Sequence, residues 1–190
     1  MSSLIRPASV LLIILTLITG VAYPLVVTGI ARVAFPDQAG GRLIFKGGKA
    51  VGSHLIGQSF TDPRYFWGRP SATSPQPYNA LASSASNQGP LNPALVDAAR
   101  ARIEALHAAD PANTAPIPVD LVTASASGLD PEISVAAANY QADRVARARA
   151  VPAGLVRTLI SSHAQGRWQG FIGEPRINVL ELNLALDDLR

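Results

Sequence analysis

Residues 7–31, PASVLLIILTLITGVAYPLVVTGIA, form an uncharged apolar run fenced by Arg6 and Arg32. At about 1.5 Å rise per residue, a helix of this run reaches roughly 37 Å, beyond the ~30 Å hydrocarbon core of a bilayer. The run therefore reads as a membrane-spanning helix with room for tilt. Its rival is a cleaved secretory signal, with Arg6 as the basic region, Val10–Ile18 as the apolar region and Gly20-Val21-Ala22 as the cleavage site. The apolar character continues through Tyr23, Leu25, Val26, Val27 and Ile30, which a cleavage region does not need, so the anchor is the favoured reading. Within the run, Thr16, Gly20, Pro24 and Thr28 recur every fourth residue and form a small or polar stripe suited to a partner helix. The plainer reading of the same residues is a threonine bonded to its own helix and a proline kink.

The remaining residues, 32–190, suffice for one compact domain with its own core. The chain has no cysteine, which fits either face of a membrane. Its formal charge of +3 is scattered, without a basic run of the kind that tracks a phosphate backbone, so nucleic acid is not an expected partner. Arg6 stands against Arg32, Arg42, Lys46 and Lys49 on the far flank, and that count taken alone would leave the large domain in the cytoplasm. Asp37 and the Gly40-Gly41 and Gly47-Gly48 pairs mark this flank as a loose linker.

Arg42–Ala50 predicts a short hairpin around Gly47-Gly48, with Leu43 and Phe45 on one face. Phe60, Tyr65, Phe66 and Trp67 then crowd four aromatics into eight residues, as a local core or a recognition surface. Ser71–Asn92 has no apolar period and reads as a long loop. Asn92-Pro93 predicts a helix start, and Leu95, Val96, Ala99, Ile103 and Leu106 an apolar stripe ending near Ala109. Asp110–Pro118 is a connector and Val119–Thr123 reads as a strand. A second helix is expected from Asp130-Pro131-Glu132 to Arg149, acidic at its start and basic at its end. A third runs from Pro152 to His163, with a strand near Ile177 and a short helix after it.

No stretch carries a catalytic constellation. His54, His107 and His163 lack the i, i+4 spacing of a helical metal site. Neither serine of Ser125-Ala126-Ser127-Gly128 meets the G-x-S-x-G nucleophile elbow, and neither Lys46 nor Lys49 lies in a phosphate-binding loop. The residues Thr123–Gly128, placed just before an expected helix N-terminus, could offer hydroxyls and backbone donors to an anion or a partner's carbonyl; the structural alternative is a hydroxyl-rich turn capping that helix. Ser125, Ser127 and Gly128 are the candidate nucleotide or partner contacts. No catalytic residue and no metal site are expected.

Five separated motifs, in order along the chain, carry a resemblance: Gly57-Gln58-Ser59-Phe60; Tyr65-Phe66-Trp67-Gly68-Arg69-Pro70-Ser71; Ser86-Asn87-Gln88-Gly89-Pro90; Leu121-Val122-Thr123-Ala124-Ser125-Ala126-Ser127-Gly128-Leu129-Asp130-Pro131; and Asn178-Val179-Leu180-Glu181-Leu182-Asn183. Together they resemble the KdpC subunit family of the bacterial potassium-transporting P-type ATPase. The resemblance implies a single N-terminal transmembrane helix followed by one α/β (α+β) extracytoplasmic domain, in the inner membrane with a cytoplasmic N-terminus, and it overrides the charge count. The implied segments are a tail at 1–7, the helix at 8–31, a linker and hairpin at 32–52 and the domain at 53–190. It further implies a non-catalytic subunit that stabilises the complex and acts as a catalytic chaperone raising ATP affinity in the hydrolysing subunit. The implied partners are that subunit and the channel-like potassium-translocating subunit. ATP enters only through a ternary complex with the hydrolysing subunit, by indirect coupling. Thr16, Gly20, Pro24 and Thr28 are then the expected helix contacts, and Tyr65, Phe66, Arg69, Ser71, Thr123 and Asp130 the expected partner surface. The competing expectation is an exported ligand- or nucleotide-binding protein released by cleavage near Ala22.

Overall fold

A computed structural model describes residues 2–189, and the chain divides into two compact units, Met1–Ala50 and Val51–Arg190. In the first, α1 (Ser2–Leu17), a π-helical turn (Ile18–Ala22) and α2 (Tyr23–Ala34) follow without a break. The apolar helix spans Leu4–Ala34, 31 residues, and none of them is buried. The π turn has a chemical cause. Pro24 has no N–H to give to the carbonyl four residues back, and its ring crowds that carbonyl. Widening the turn so that Tyr23 N–H reaches Ile18 O carries the helix past the proline. Thr19 Oγ1 donates to Leu15 O at 2.7 Å, satisfying its hydroxyl within the helix. On the flank read as a linker with a hairpin, α3 (Pro36–Ala39) leads into the hairpin of β1 (Leu43–Lys46) and β2 (Lys49–Ser53), which turns at Gly47-Gly48.

In the second unit, α4 (Pro93–Ala109) begins where its cap predicts, with Asn92 Oδ1 accepting Ala94 N–H at 3.0 Å. The expected strand at Val119–Thr123 is instead a 3-10 turn, Val119–Leu121. Leu121 alone is fully buried there, and Asp120 turns its carboxylate back to accept the N–H of Ser134 at 2.7 Å. The second expected helix starts late. Pro131 disfavours a helical conformation at Asp130, whose carboxylate instead accepts Glu132 N–H at 3.0 Å. The chain then forms β3 (Glu132–Ser134) before Ser134 caps α5 (Val135–Arg149), its Oγ accepting Ala137 N–H at 3.0 Å. Next come α6 (Ala153–His163), β4 (Arg176–Asn178) and α7 (Val179–Asp187). β3 pairs antiparallel with β4, Ile133 opposite Ile177, and α6 packs against both α5 and α7. Ala137, Ala142 and Val145 of α5, Val156 of α6, Ile177 and Leu182 are buried together.

Phe66 and Trp67 belong to this core although they lie in no helix or strand. Their backbone is served by side chains. Asn183 of α7 accepts Phe66 N–H at 2.8 Å and donates to Phe66 O at 3.0 Å. Gln141 of α5 does the same for Trp67, at 2.8 and 3.1 Å. Each primary amide stands in for a neighbouring strand's peptide group, presenting one donor and one acceptor. Two guanidiniums complete the arrangement: Arg144 donates to Pro63 O at 2.5 Å and Tyr65 O at 3.1 Å, and Arg102 donates to Gly68 O at 3.0 Å. Both lie over the Trp67 ring, at 4.6 Å for Arg144 and 5.2 Å for Arg102. Burial pulls Arg144 down to about 10, so it remains charged at neutral pH.

Replacing Asn183 by Leu keeps similar volume but strips both partners from buried Phe66 backbone groups. At about 1–3 kcal/mol for each orphaned group, Asn183→Leu is expected to lose about 2–6 kcal/mol of stability, measured by urea unfolding of the full chain in detergent. A change below about 1 kcal/mol would show that these bonds do not organise the segment.

Candidate functional site

Residues of three of the five motifs, around Gly57, Arg69–Ser71 and Ala124–Asp130, converge in one place. Arg69 reaches Asp130 Oδ2 at 3.1 Å with Nη1 and Ala124 O at 3.3 Å with Nη2. Ser71 Oγ donates to Gly128 O at 2.7 Å and accepts Tyr78 N–H at 2.9 Å. Tyr78 Oη donates to Arg69 O at 2.6 Å, and burial pushes the phenol's pKa up. From the other side, Ser83 Oγ donates to Ser127 O at 2.9 Å and Gly57 N–H to Leu129 O at 2.8 Å. Segments around residues 57, 69–84 and 123–130 are thereby tied into one polar knot. A long loop can hold its shape in this way without regular structure, because side chains and turns supply its backbone partners.

Two glycines permit the close approach. At Gly57 a Cβ would fall 2.4 Å from the Tyr78 ring and 2.7 Å from Asp130 O. Gly128 has φ +67°, and its Cβ would meet Thr73 Cγ2 at 2.5 Å and Ser84 O at 2.9 Å. The left-handed conformation and the contact both favour glycine.

The arrangement spends most of its polar groups internally, although Arg69 Nε is buried without a partner. Thr123 Oγ1 donates to Val119 O at 2.8 Å, and Ser127 Oγ accepts Leu129 N–H at 3.1 Å. Ser125 is buried, at 5 % exposure. The turn Ser125–Gly128 does not precede a helix N-terminus as expected. It leads into β3, and α5 begins only at Val135, so no helix N-terminus stands at that turn. Phe66, expected on a partner surface, is fully buried and faces the core. Tyr65 is half-buried, under Arg149 at 4.8 Å, and donates to Asp187 Oδ2 at 3.1 Å. Arg69, Ser71, Thr123 and Asp130 are also half-buried. The stripe of Thr16, Gly20, Pro24 and Thr28 lies in the first unit, with all four residues exposed.

Sequence reasoning missed a cleft of about 480 Å³ beside the knot, bordered by Arg69, Asp120, Asp130, Glu132 and Arg176. Its charges are largely matched: Arg69 pairs with Asp130, and Arg176 Nε lies 2.8 Å from Glu132. Both N–H groups on the free side of β3, those of Glu132 and Ser134, are taken by Asp130 and Asp120. That edge is closed to an added strand. No linear signal announces this cleft, since its walls come from four separated segments. His54, read as structural or solvated, binds Glu181 through Nδ1.

Gly128→Ala is the sharpest probe of the knot. Strain at positive φ combined with the clash against Thr73 and Ser84 is expected to cost about 2 kcal/mol or more, seen as a lowered melting temperature of the full chain in detergent. An unchanged melting temperature would show that the turn is not locked by its neighbours.

Residues 5–188 match the family model described as KdpC: K+-transporting ATPase, c chain. Three relatives are each named potassium-transporting ATPase KdpC subunit. The protein of Variovorax paradoxus is 65% identical over 98% of this chain and 97% of its own length. That of Dechloromonas aromatica is 65% identical over 100% and 99%. That of Methylibium petroleiphilum is 64% identical over the whole of both chains. With the family model covering all but the ends and relatives matching from end to end, the chain belongs to the KdpC family, a subunit of the K+-transporting ATPase.

Proposed function

We propose that the chain is a non-catalytic subunit of an ATP-driven, high-affinity potassium uptake complex, fixed in the inner membrane by its N-terminal helix. The N-terminus is cytoplasmic and the domain lies on the outer face, beside the channel-like potassium-translocating subunit. The observation that carries this reading is the unburied apolar helix of 31 residues, with Arg6 and Arg32 as the charges near its ends. Leaving so many Leu, Ile and Val side chains in water costs about 1.5–3 kcal/mol each, a cost that a bilayer removes. Continuation of the helix through Gly20–Ala22 to Ala34 favours an anchor over cleavage near Ala22.

Within the membrane, Thr16, Gly20, Pro24 and Thr28 meet a partner helix. A π turn rotates less per residue than an α turn, so residues four apart across it keep closer to one line. The π turn at Ile18–Ala22 thus helps align the stripe. In the domain, Tyr65, Arg69, Ser71, Thr123 and Asp130 present the docking surface. The internal pairing of the Ser125–Gly128 turn supports a structural role there. An effect on ATP affinity then travels as a coupling free energy through the subunits, with hydrolysis carried by the ATP-hydrolysing subunit. A domain outside the membrane cannot touch a cytoplasmic nucleotide.

Because the chain has no cysteine, a single one at exposed Ala126 reports the side of the membrane. Ala126→Cys in full-length, membrane-bound chain is expected to react with an impermeant maleimide in intact spheroplasts. Reaction only after lysis would place the domain in the cytoplasm and overturn the topology, reopening direct nucleotide contact.

A further inference from the structure

The first unit does not end with its helix. Beyond Arg32, Phe35 N–H still donates to Ala31 O at 2.8 Å, and the backbone bonds continue: Ala39 to Phe35 O at 2.9 Å, Gly40 to Pro36 O at 2.9 Å and Arg42 to Asp37 O at 2.8 Å. The last of these folds the chain back, so Leu43 starts beside α3 rather than an extended chain's length away. The hairpin that follows is two-stranded, and Gly47 and Gly48 stand at φ 59° and 77°, the two positive values that a type I′ turn requires. Side chains alternate in face along β1, so Leu43 and Phe45 share one. That face is open: Leu43 is 51% exposed and Phe45 63%, with Phe35 at 58% before them.

Two observations decide what covers these side chains. The first is continuity with the apolar span. Arg32 is the first charge after Arg6, and an arginine at the end of a span holds its guanidinium at headgroup level. Phe35 lies three residues further, about 4.5 Å along a helix axis, and the bonded turn through α3 keeps the hairpin near that level. The second is charge. Residues 32–50 carry Arg32, Arg42, Lys46 and Lys49 against Asp37 alone. The core of a protein interface is depleted of charge, whereas a phospholipid surface takes apolar side chains into its acyl boundary and basic ones against its phosphates. Phe, Leu and Phe set among four cations fit the lipid surface.

We propose that α3 and the β1–β2 hairpin form an interfacial foot on the phospholipid surface. Phe35, Leu43 and Phe45 enter the headgroup edge of the acyl layer, while Arg42 and Lys49 meet lipid phosphates. This rests on the membrane-anchor reading above and gives the same bilayer a second element of the chain to hold. Two contacts fix the helix at one depth and one rotation, which a single span leaves loose.

Because the chain has no cysteine, Phe45→Cys and, separately, Ile14→Cys in the full chain are labelled with bimane, an apolar ring that stands in for the lost side chain. Each is reconstituted alone in vesicles of equal parts phosphatidylethanolamine and phosphatidylglycerol. Lipid carrying a nitroxide high on its acyl chain is expected to cut the emission at position 45 about twofold or more, with little quenching by aqueous iodide. Quenching by iodide and not by the lipid would overturn the foot, as would protection from both, the mark of a pocket formed by a second copy. Ile14 keeps the two readings apart. Quenching there by a nitroxide deep in the acyl chain, with position 45 in water, leaves the anchor standing without the foot; no quenching at Ile14 counts against the anchor itself. Combining Arg42→Gln and Lys49→Gln is expected to weaken the lipid quenching at position 45 about threefold, and unchanged quenching would overturn the contact with phosphate.

Discussion

The domain depends on two side-chain amides doing the work of peptide groups. Asn183 and Gln141 each give a donor and an acceptor to a stretch of chain that has no strand partner, Phe66 and Trp67. Without them, burying those two aromatics would also bury unpaired backbone groups, at a cost comparable to the apolar gain. With them, an irregular segment becomes core, and α5 and α7 are joined through it. Arg144 and Arg102 extend the same logic along the segment by capping the carbonyls of Pro63, Tyr65 and Gly68. Their guanidiniums suit the task because they carry several donors in a fixed plane that also rests on the Trp67 ring.

By the same means, residues that look chemical in the sequence are bonded to one another in the fold. Arg69, Ser71, Tyr78, Ser127 and Asp130 would be unremarked as loop residues if they faced solvent. Here they and Ser83, which donates to Ser127 O, tie three loops together, and Gly57 and Gly128 let the chains come near enough for the bonds to form. The knot supplies cross-links where secondary structure is scarce.

Legibility in the sequence followed the range of the forces involved. The apolar helix, the Asn92 cap and α4, the Gly47-Gly48 hairpin, α6, and the strand and helix near Ile177 are dictated by neighbours a few residues apart, and all could be read. Elsewhere a distant partner decides. Val119–Leu121 turns because Asp120 must meet Ser134, and Glu132–Ser134 is a strand because β4 lies beside it; neither partner is visible locally. An aromatic cluster such as that around Phe66 serves cores and interfaces alike, and Asn183, 117 residues away, holds Phe66 in the core. Of the candidate site, the motif residues were legible as a group, whereas the cleft and the internal pairing of the charges were not.

Amide hydrogen exchange at Phe66 and Trp67 tests the central claim most directly, since both lie outside regular secondary structure. If Asn183 and Gln141 hold them as core, their amides exchange only through global unfolding, as slowly as those in the middle of α5. Exchange as fast as in the loop at residues 83–92 would contradict the account and reduce the segment to a loop packed by its aromatic rings alone.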